Sequence, residues 1–277
     1  MHIEKALDFI YQHGRSECDA FDVVAGVNAS SGISVFQGKL KDTEISNSSG
    51  IGVRVFRNGC PGYAFTESLE ENALKQMFAD AISHTEFTQI LPIELPKPTI
   101  PGCEREHYHP EVENCSFEQM KELCLSIEKL SLASPEIENV PYLGSGKSVS
   151  QIYLMNSNGI SYSRQSSHLS TSVGVVACRN SVKKLGVYSQ VVFDVKDFDG
   201  NKIATKAVEK AKSLLGARSI ASGNYPVIFS EEISGNVISM YASSFSADSV
   251  QKGNSRLKGL MNTQIASPCF TLLNDPT

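Results

Sequence analysis

Residues 50–59 read Gly-Ile-Gly-Val-Arg-Val-Phe-Arg-Asn-Gly. Branched and aromatic side chains alternate here with smaller or charged ones, which is the pattern of a strand with one buried face. The closing pair, Asn58-Gly59, is a dipeptide that strongly favours a two-residue hairpin turn. The stretch therefore predicts a strand that turns back on itself within an antiparallel sheet.

The neighbouring residues extend this pattern. Residues 21–66 contain further short runs of branched and aromatic residues, interrupted by Gly, Asn and Ser. Tight turns are expected at Ser31-Gly32 and Ser49-Gly50 as well as at Asn58-Gly59, since these pairs suit turn conformations. Together these signals predict an antiparallel meander.

Helices are predicted on both sides of this meander. Residues 3–13 place their apolar side chains on one face, and Gly14 suits the helix end. A second helix is expected to begin at Ser68, because Ser68 and Glu71 have the spacing of a capping box. Its expected buried stripe comprises Leu74, Met77, Phe78, Ala81 and Ile82.

A second block repeats this order after a proline-rich stretch. Residues 88–114 contain five prolines, which prevent regular structure. Ser116 and Gln119 then have capping-box spacing, strands are expected from about 137 to 195, and a helix is expected from about 201 to 215. Asn47–Ile51 and Asn156–Ile160 resemble each other as Asn- and Gly-containing turns, which suggests duplication.

We therefore predict an α+β fold built of helix–antiparallel meander–helix units. The expected domains are an N-terminal domain at 1–90, a linker at 91–115, a middle domain at 116–217 and the start of a C-terminal domain at 218–277. The last of these is too short for a core of its own at ordinary domain size.

Composition excludes some classes of protein. The formal net charge is −5, and no run of Lys and Arg is present to follow a phosphate backbone, so direct nucleic-acid binding is not expected. No apolar stretch reaches the length of a membrane-spanning helix, and the first residues lack a signal-peptide pattern. The seven cysteines are scattered, which is not typical of a disulfide framework. We expect a cytoplasmic protein.

Residues 143–148, Leu-Gly-Ser-Gly-Lys-Ser, resemble the end of a phosphate-binding loop. The full motif requires glycine where Pro141 stands, and it requires a following helix. The residues after Ser148 instead have the pattern of a strand. A Gly-Ser hairpin is the favoured interpretation.

Three further groups have residue types suited to metal binding or acid–base chemistry. Cys103, His107 and His109 are potential zinc ligands, but a fourth ligand is not evident nearby. The acidic cluster at 197–201 lacks the closing Glu of a calcium loop and is better interpreted as a helix N-terminus. The same interpretation applies to the pair at 231–232.

Arg54 is expected to point outward from its strand, where it could bind an anion or form a surface salt bridge; the salt bridge is favoured. None of the six histidines stands in a nucleophile-elbow pattern, so no Ser/His/Asp or Cys/His arrangement is proposed.

Three passages together resemble the TldD/PmbA metallopeptidase family. They are the glycine-rich strand at 50–59 with residues 62–66, the Asn156–Gly159 turn, and residues 211–215 with 222–229 and 250–255. The resemblance implies an N-terminal, a middle and a C-terminal domain, and dimers that enclose a cavity. It also implies that the chain stops short of the family's full length.

In the TldD-type subunit of that family, a helix with the motif H-E-x-x-x-H binds zinc. The corresponding positions here are about 238–243, Ile-Ser-Met-Tyr-Ala-Ser, where Ile238 and Ser243 stand near the ligand positions. The chain therefore resembles the PmbA-type subunit, with no metal, no catalytic residue and no cofactor of its own. The substrate-binding residues are unknown.

The resemblance implies a partner as well as a substrate. The expected partner is a TldD-type zinc subunit in a heterodimer or a second copy in a homodimer, acting on small or unfolded peptides. Two alternatives stay open: a non-enzymatic binding or regulatory protein acting on a gyrase or toxin–antitoxin system, and an active peptidase that uses residues such as Cys103 and His107.

Overall fold

The computed structural model describes residues 2–91, 94–98 and 107–274. It divides into two compact units, Met1–Ala217 and Arg218–Thr277. The first unit contains two helix–meander–helix halves. The second unit contains the helices α6 (Glu231–Tyr241) and α7 (Ala247–Gln251), which flank a short 3-10 helix, Ala242–Phe245.

The two halves of the first unit repeat the same order of elements. The first half comprises α1 (Ile3–Glu17), β1 (Ala20–Phe36), β2 (Lys39–Arg57), β3 (Cys60–Thr66) and α2 (Glu71–His84). After the short α3 (Pro110–Glu113), the second half comprises α4 (Phe117–Leu132), β4 (Ile137–Asn156), β5 (Ser161–Arg179), β6 (Val182–Val192) and α5 (Gly200–Ser213). Three-residue 3-10 helices lie at Thr85–Phe87 and Val195–Asp197.

All six strands form one sheet in the order β3-β2-β1-β4-β5-β6. Every neighbouring pair is antiparallel. The halves join where β1 pairs with β4, from Asp22 opposite Asn156 to Ser34 opposite Gly144. The predicted α+β class with antiparallel meanders is confirmed. The domain boundaries stay a prediction, although one sheet spans the first two predicted domains.

Two of the predicted turns are wrong. Ser31-Gly32 and Ser49-Gly50 lie inside β1 and β2, which are 17 and 19 residues long. Their hairpin turn is Gln37-Gly38, with φ angles of 51° and 73°. The Asn58-Gly59 turn is confirmed, with φ angles of 53° and 77°. Small polar residues can lie within a strand that has neighbours on both sides, since the ladder fixes their backbone.

Of the two stretches that were predicted to be matching turns, Asn47–Ile51 and Asn156–Ile160, only the second is a turn. Asn156–Ile160 forms the turn between β4 and β5, where Gly159 has a φ of 97°. Asn47–Ile51 lies inside β2 and makes no turn. The halves match instead at Asn58-Gly59 and Asn180-Ser181, which turn the second hairpin of each half with positive φ.

Of the two predicted capping boxes, one is present and one is not. At α4 the capping box is present: Gln119 N donates to Ser116 Oγ at 3.2 Å, and Ser116 N donates to Gln119 Oε1 at 2.7 Å. The predicted box at Ser68 is wrong, because α2 begins only at Glu71. Ser68 Oγ instead accepts from Glu70 N at 3.3 Å, which is a local turn that competes with the helix cap.

The helices of the first unit pack on one face of the sheet and produce two apolar cores. In β1, all five buried apolar side chains are odd-numbered: Phe21, Val23, Ala25, Ile33 and Val35. The first three pack with α1 and α2, and the last two pack with α4 and the second half. The even-numbered residues of β1 therefore point to the opposite face of the sheet.

In each half, the backbone of one helix lies very close to a glycine of the sheet. A Cβ at Gly62 would lie 1.9 Å from Ala81 O of α2. A Cβ at Gly186 would lie 2.3 Å from Ala207 O of α5. Since neither helix backbone can move away freely, only glycine fits at these two positions.

An ion-paired glutamate links β4, β5 and α5. Glu136 Oε1 accepts from Arg179 Nε at 2.8 Å, and Lys212 Nζ lies 3.1 Å from Glu136 Oε2. These partners, Arg179 first, lower the pKa of Glu136 below its usual value of 4.5. A lowered pKa stabilises the fold above the unfolded-state pKa, and that stabilisation is lost as the pH falls through the folded-state pKa.

We therefore expect Glu136→Gln to lower the melting temperature at pH 7 by a small amount, and we expect the difference from wild type to shrink below pH 4.5. Thermal unfolding followed by circular dichroism between pH 3 and 7 measures this, at the roughly 0.15 M ionic strength used for physiological screening. The matched control is Glu122→Gln, at an exposed position of α4. A Glu136→Gln difference that grows in acid would contradict the assignment.

Candidate functional site: a groove on the open face of the sheet

The face of the sheet that points away from the helices exposes large apolar side chains. Phe65 is 81% exposed and Val24 is 54% exposed. Tyr63, Ile152 and Leu154 are also exposed. Grouped apolar exposure of this kind marks interaction surfaces in proteins.

The pairing of the strands places these residues along the two sides of a groove. Gly26 lies opposite Gly50, and Val24 lies opposite Gly52, so three of these four positions in β1 and β2 carry no side chain. The neighbouring strands supply two walls, Tyr63 and Phe65 from β3 and Ile152 and Leu154 from β4. We call this feature the open-face groove: floor Gly26, Gly50 and Gly52; walls Tyr63, Phe65, Ile152 and Leu154.

Two adjoining hollows make up the groove, with volumes of about 650 and 490 Å³. Gly52 and Phe65 line both hollows. Each hollow by itself has a volume within the usual range of ligand-binding pockets.

A polar row closes one end of the groove. Tyr63, Arg54, Asp22 and Asn156 lie opposite one another on β3, β2, β1 and β4. Arg54 Nε lies 3.1 Å from both carboxylate oxygens of Asp22, and Arg54 Nη2 donates to the same carboxylate. The hydrogen bonds to Asp22 raise the pKa of Arg54. The favoured salt bridge is therefore confirmed.

An extended segment of the chain itself reaches this end. Asn156 Nδ2 donates to Pro96 O at 2.8 Å, and Asn158 Nδ2 donates to Leu95 O at 2.8 Å. Asn156 Oδ1 accepts from Asn158 N and Ile160 N, each at 3.0 Å, which fixes the orientation of its amide. Leu95 is buried and Pro96 lines the groove. We call residues 94–98 the strap.

The glycine-rich stretch at 143–148 forms neither a phosphate loop nor a hairpin. It lies within β4, between β1 and β5. A Cβ at Gly144 would lie 2.9 Å from Ile33 O, so close packing against β1 explains this glycine. Lys147 Nζ donates to Glu113 O rather than pointing into a phosphate site. The hairpin interpretation is therefore wrong.

Two of the three potential zinc ligands of the linker, His107 and His109, lie within the described residues. Cys103 lies outside the described residues. His107 O accepts from Ser167 N at 2.8 Å, and His109 N donates to Ser167 Oγ at 2.9 Å, so backbone contacts hold this segment beside β5. Within 2–91, 94–98 and 107–274, His, Cys, Asp and Glu form no cluster of three or more that could hold a metal.

The two acidic groups are helix N-termini, as predicted. Asp199 caps α5, where its carboxylate accepts from Lys202 N at 2.9 Å. Glu231 and Glu232 lie in the first turn of α6, behind the cap Ser230. Acidic side chains there are stabilised by the helix dipole.

The positions compared with a zinc helix fall at the end of α6. Ile238 lies within α6, and Ser243 lies in the 3-10 helix that follows it. Neither an isoleucine nor a neutral serine hydroxyl supplies the imidazole, thiolate or carboxylate that zinc binds in proteins.

Burial suppresses the ionisation of three thiols. It raises the pKa of Cys124 to about 12 and that of Cys18 to about 11, and it also raises the pKa of Cys115. Because the thiolate is the nucleophile, a raised pKa makes these three thiols weaker nucleophiles at neutral pH.

The groove was missed from the sequence although its residues were visible there. Gly50 and Gly52 were noted as part of a strand, and Asn156 and Asn158 were interpreted only as turn residues. The available signal was the recurrence of glycine at alternate positions of a strand, which marks close approach by another backbone.

Fold and sequence together define a class of protein: a metallopeptidase-type chain of three successive domains. Residues 21–84 match the PmbA/TldA metallopeptidase domain 1, residues 110–215 match the central domain, and residues 222–277 match the C-terminal domain. The chain belongs to the PmbA/TldD metallopeptidase family.

Two curated relatives are similar along most of this chain. An uncharacterized protein of Methanocaldococcus jannaschii is 26% identical over 236 residues, covering 83% of this chain and 52% of the relative. A protein of Methanothermobacter thermautotrophicus named metalloprotease is 25% identical over 262 residues, covering 92% of this chain and 57% of the relative. The chain thus spans about half the length of the curated relatives it matches.

Solved structures share the fold. A protein of Thermotoga maritima described as a modulator of DNA gyrase matches with a TM-score of 0.82 at 20% identity, covering 93% of this chain and 59% of that one. TldE from Thermococcus kodakarensis matches with a TM-score of 0.75 at 16% identity, covering 92% and 58%. At these identities the likeness concerns the fold alone.

Among the described residues, no helix combines the length and the apolar character that crossing a bilayer requires.

Proposed function

We propose that this chain is a PmbA-type subunit of a cytoplasmic peptidase assembly, that it binds no zinc itself, and that it acts beside a zinc-bearing TldD-type subunit on small or unfolded peptides. One observation supports the proposal. Residues 222–277 match the metallopeptidase C-terminal domain, and the resemblance aligns the zinc-binding positions of that domain with about 238–243, where this chain has Ile238 and Ser243.

Coordination chemistry supports the absence of a catalytic role. A catalytic zinc needs three protein ligands and an open position for water, and a nearby carboxylate serves as the base. The segment 238–243 contains only Ile, Ser, Met, Tyr and Ala. Such a subunit would contribute binding surface, and the open-face groove supplies one.

The experiment combines the purified chain with a zinc-bearing TldD-type subunit of the same family. Co-elution on size exclusion measures association, and a quenched fluorescent unfolded peptide measures cleavage. We expect a complex, no cleavage by this chain alone, and cleavage by the mixture that a chelator abolishes. The matched control replaces a zinc-ligating histidine of the TldD-type subunit by alanine, which should leave association intact and remove cleavage.

Two results would overturn the proposal. Chelator-sensitive cleavage by this chain alone would show that it carries its own metal site. Failure to associate with the TldD-type subunit under conditions where both are folded would remove the subunit role. Elution as a stable homodimer in place of the mixed complex would have the same consequence.

A second candidate is a binding protein that regulates a gyrase or toxin–antitoxin system without any peptidase. The Thermotoga maritima protein that shares the fold is described as a modulator of DNA gyrase, which favours this candidate. The net charge of −5 favours a protein partner over DNA in that role. Size exclusion with gyrase subunits separates the two candidates, because the peptidase-subunit proposal predicts no complex there.

A further inference from the structure

The helix-bearing face of the sheet carries a hollow between its two apolar cores. The buried odd-numbered residues of β1 up to Ala25 pack in the first core, and those from Ile33 onward pack in the second. Ala29 and Ser31 continue the same alternation but belong to neither core, and they line a hollow of about 470 Å³. This volume lies within the usual range of ligand-binding pockets. We call the hollow the central cleft.

Strand β4 supplies the functional groups of the central cleft in a fixed order. Val149 lies opposite Ala29, which places it at the middle of the cleft. Lys147 and Gln151 stand two positions before and after it, so they share its face of the sheet. Gln151 pairs with Gln165 of β5. The cleft therefore has an ammonium at one end, an aliphatic middle, and two side-chain amides at the other end, about 13 Å away at about 3.3 Å per residue.

The ammonium of Lys147 retains donors for a ligand. Lys147 Nζ donates to Glu113 O, which uses one of its three N–H groups. In the part of the chain that the structure describes, this half-buried ammonium forms no ion pair. A cation that is partly withdrawn from water and has no countercharge attracts an anionic group, and the resulting hydrogen bond is charge-assisted.

One carboxylate also lines the central cleft, that of Glu113. The hydroxyl of Tyr108 donates to this carboxylate, so Glu113 already has a partner, and this hydrogen bond raises the pKa of Tyr108. Among the described residues that line the cleft, Lys147 and Glu113 alone carry a formal charge. One negative charge on a ligand therefore suits the cleft, whereas the two charges of a phosphate group would be repelled by Glu113.

The amide end of the central cleft suits an uncharged polar group. Within 2–91, 94–98 and 107–274, the side chains of Gln151 and Gln165 make no hydrogen bond. Each amide has both donor and acceptor atoms, so a hydroxyl group can pair with them in either sense. Gln151 is half-buried, and a partner from a ligand would remove the cost of leaving its amide unpaired.

An aromatic ring stands beside the aliphatic middle. Phe117 is the first residue of α4, is 37% exposed and lines the central cleft. The capping box between Ser116 and Gln119 holds this first turn of the helix in place. A planar apolar group lying over Val149 would pack against the ring of Phe117, which is a favourable contact for aromatic groups.

We propose that the central cleft binds a small aromatic acid that carries one carboxylate and, at its far end, one hydroxyl group. The carboxylate binds Lys147, and the aromatic ring packs between Val149 and Phe117. The hydroxyl group binds the side-chain amides of Gln151 and Gln165. This inference goes beyond the proposed function, which rests on residues 222–277, so either can fail without the other.

Saturation-transfer difference NMR with para-hydroxyphenylpropionate, titrated against the full chain at neutral pH, tests this binding. We expect saturable binding by wild type. Lys147→Met should weaken it by roughly tenfold or more, the usual effect of losing a hydrogen bond to a charged group. Changing the carboxylate of the probe to a neutral amide should have the same effect on wild type. The two changes together should cost no more than either alone, since both remove one interaction.

The hydroxyl end is tested in the same way. Phenylpropionate lacks the hydroxyl group, and we expect it to bind wild type roughly fivefold more weakly, the range of a neutral hydrogen bond. Gln151→Leu removes the amide and keeps the apolar volume. In that variant the two acids should bind equally well. A difference that persists unchanged in Gln151→Leu would refute the assignment of the hydroxyl group.

The matched control is Lys184→Met, at a half-buried lysine of β6 outside the central cleft, which should leave binding unchanged. Lys147→Arg keeps the charge and should retain most of the binding. If Lys147→Met does not fold, the comparison of the acid with its amide on wild type decides. Absence of saturable binding, equal binding of acid and amide, or equal losses in Lys147→Met and Lys184→Met would overturn the inference. So would displacement of the probe by an equal concentration of inorganic phosphate.

Discussion

Gly62→Ala is expected to destabilise the first unit severely, by about 3 kcal/mol or more, which is the upper range for overpacking. The added Cβ would lie 1.9 Å from Ala81 O and 2.9 Å from Thr85 Cγ2. Ala81 belongs to α2, whose backbone is held by its own hydrogen bonds and by the buried Met77 and Phe78. Relief therefore requires the whole helix to move off the sheet.

Urea unfolding followed by far-ultraviolet circular dichroism measures this loss, and a matched variant separates the clash from a general effect of losing glycine. Gly26→Ala adds the same methyl group to the same sheet where no atom lies within 4 Å. We expect it to be neutral or to stabilise by up to about 1 kcal/mol. Equal midpoints for Gly62→Ala and Gly26→Ala would contradict the close helix–sheet contact.

Phe78→Ala is expected to cost about 3–5 kcal/mol, the usual range for removing a buried phenylalanine. Phe78 is 1% exposed, and its ring centroid lies 5.9 Å from that of Phe21 and 5.5 Å from that of His13. It therefore joins α2 to α1 and to β1. The cavity left by the missing ring would be surrounded by the sheet and by both helices, which limits its collapse.

The control for Phe78→Ala is Phe87→Ala, because Phe87 is 85% exposed in the 3-10 helix after α2. Its loss is expected to change the unfolding free energy by no more than about 0.5 kcal/mol. Similar losses in the two variants would show that the first core is not packed around Phe78.

The order of the helices and strands could be predicted because each of them follows from a pattern in its own local sequence. Period-3.6 patterns predicted α1, α4 and α5, and the Ser116 capping box placed the start of α4 within a residue. The Asn58-Gly59 pair predicted its hairpin because Asn and Gly readily adopt the positive φ that this two-residue turn requires.

The errors arose where long-range pairing overrides local preference. Both Ser31-Gly32 and Ser49-Gly50 consist of turn-forming residues. Ser31-Gly32 is nevertheless paired with β2 on one side and β4 on the other, and Ser49-Gly50 is paired with β1. The first hairpin turns instead at Gln37-Gly38, where Gln37 has a φ of 51° and only Gly38 is a residue typical of turns. Long strands tolerate small residues, because neighbouring strands supply the constraint that the side chains do not.

The open-face groove could not be derived from the sequence, because it depends on register. Gly26 and Gly50 are 24 residues apart in the chain and become neighbours only when β1 pairs with β2. The strap contacts of Asn156 and Asn158 likewise join residues about 60 positions apart. The absence of zinc ligands at 238–243, by contrast, could be read directly from residue identity.

Zinc content tests the central claim most directly. The purified chain would be dialysed against excess zinc, passed through a desalting column and analysed by inductively coupled plasma mass spectrometry. With Ile238 and Ser243 near the expected ligand positions, we predict far less than one zinc ion per chain. One tightly held zinc ion per chain, lost on substitution of residues within 230–245, would contradict the account.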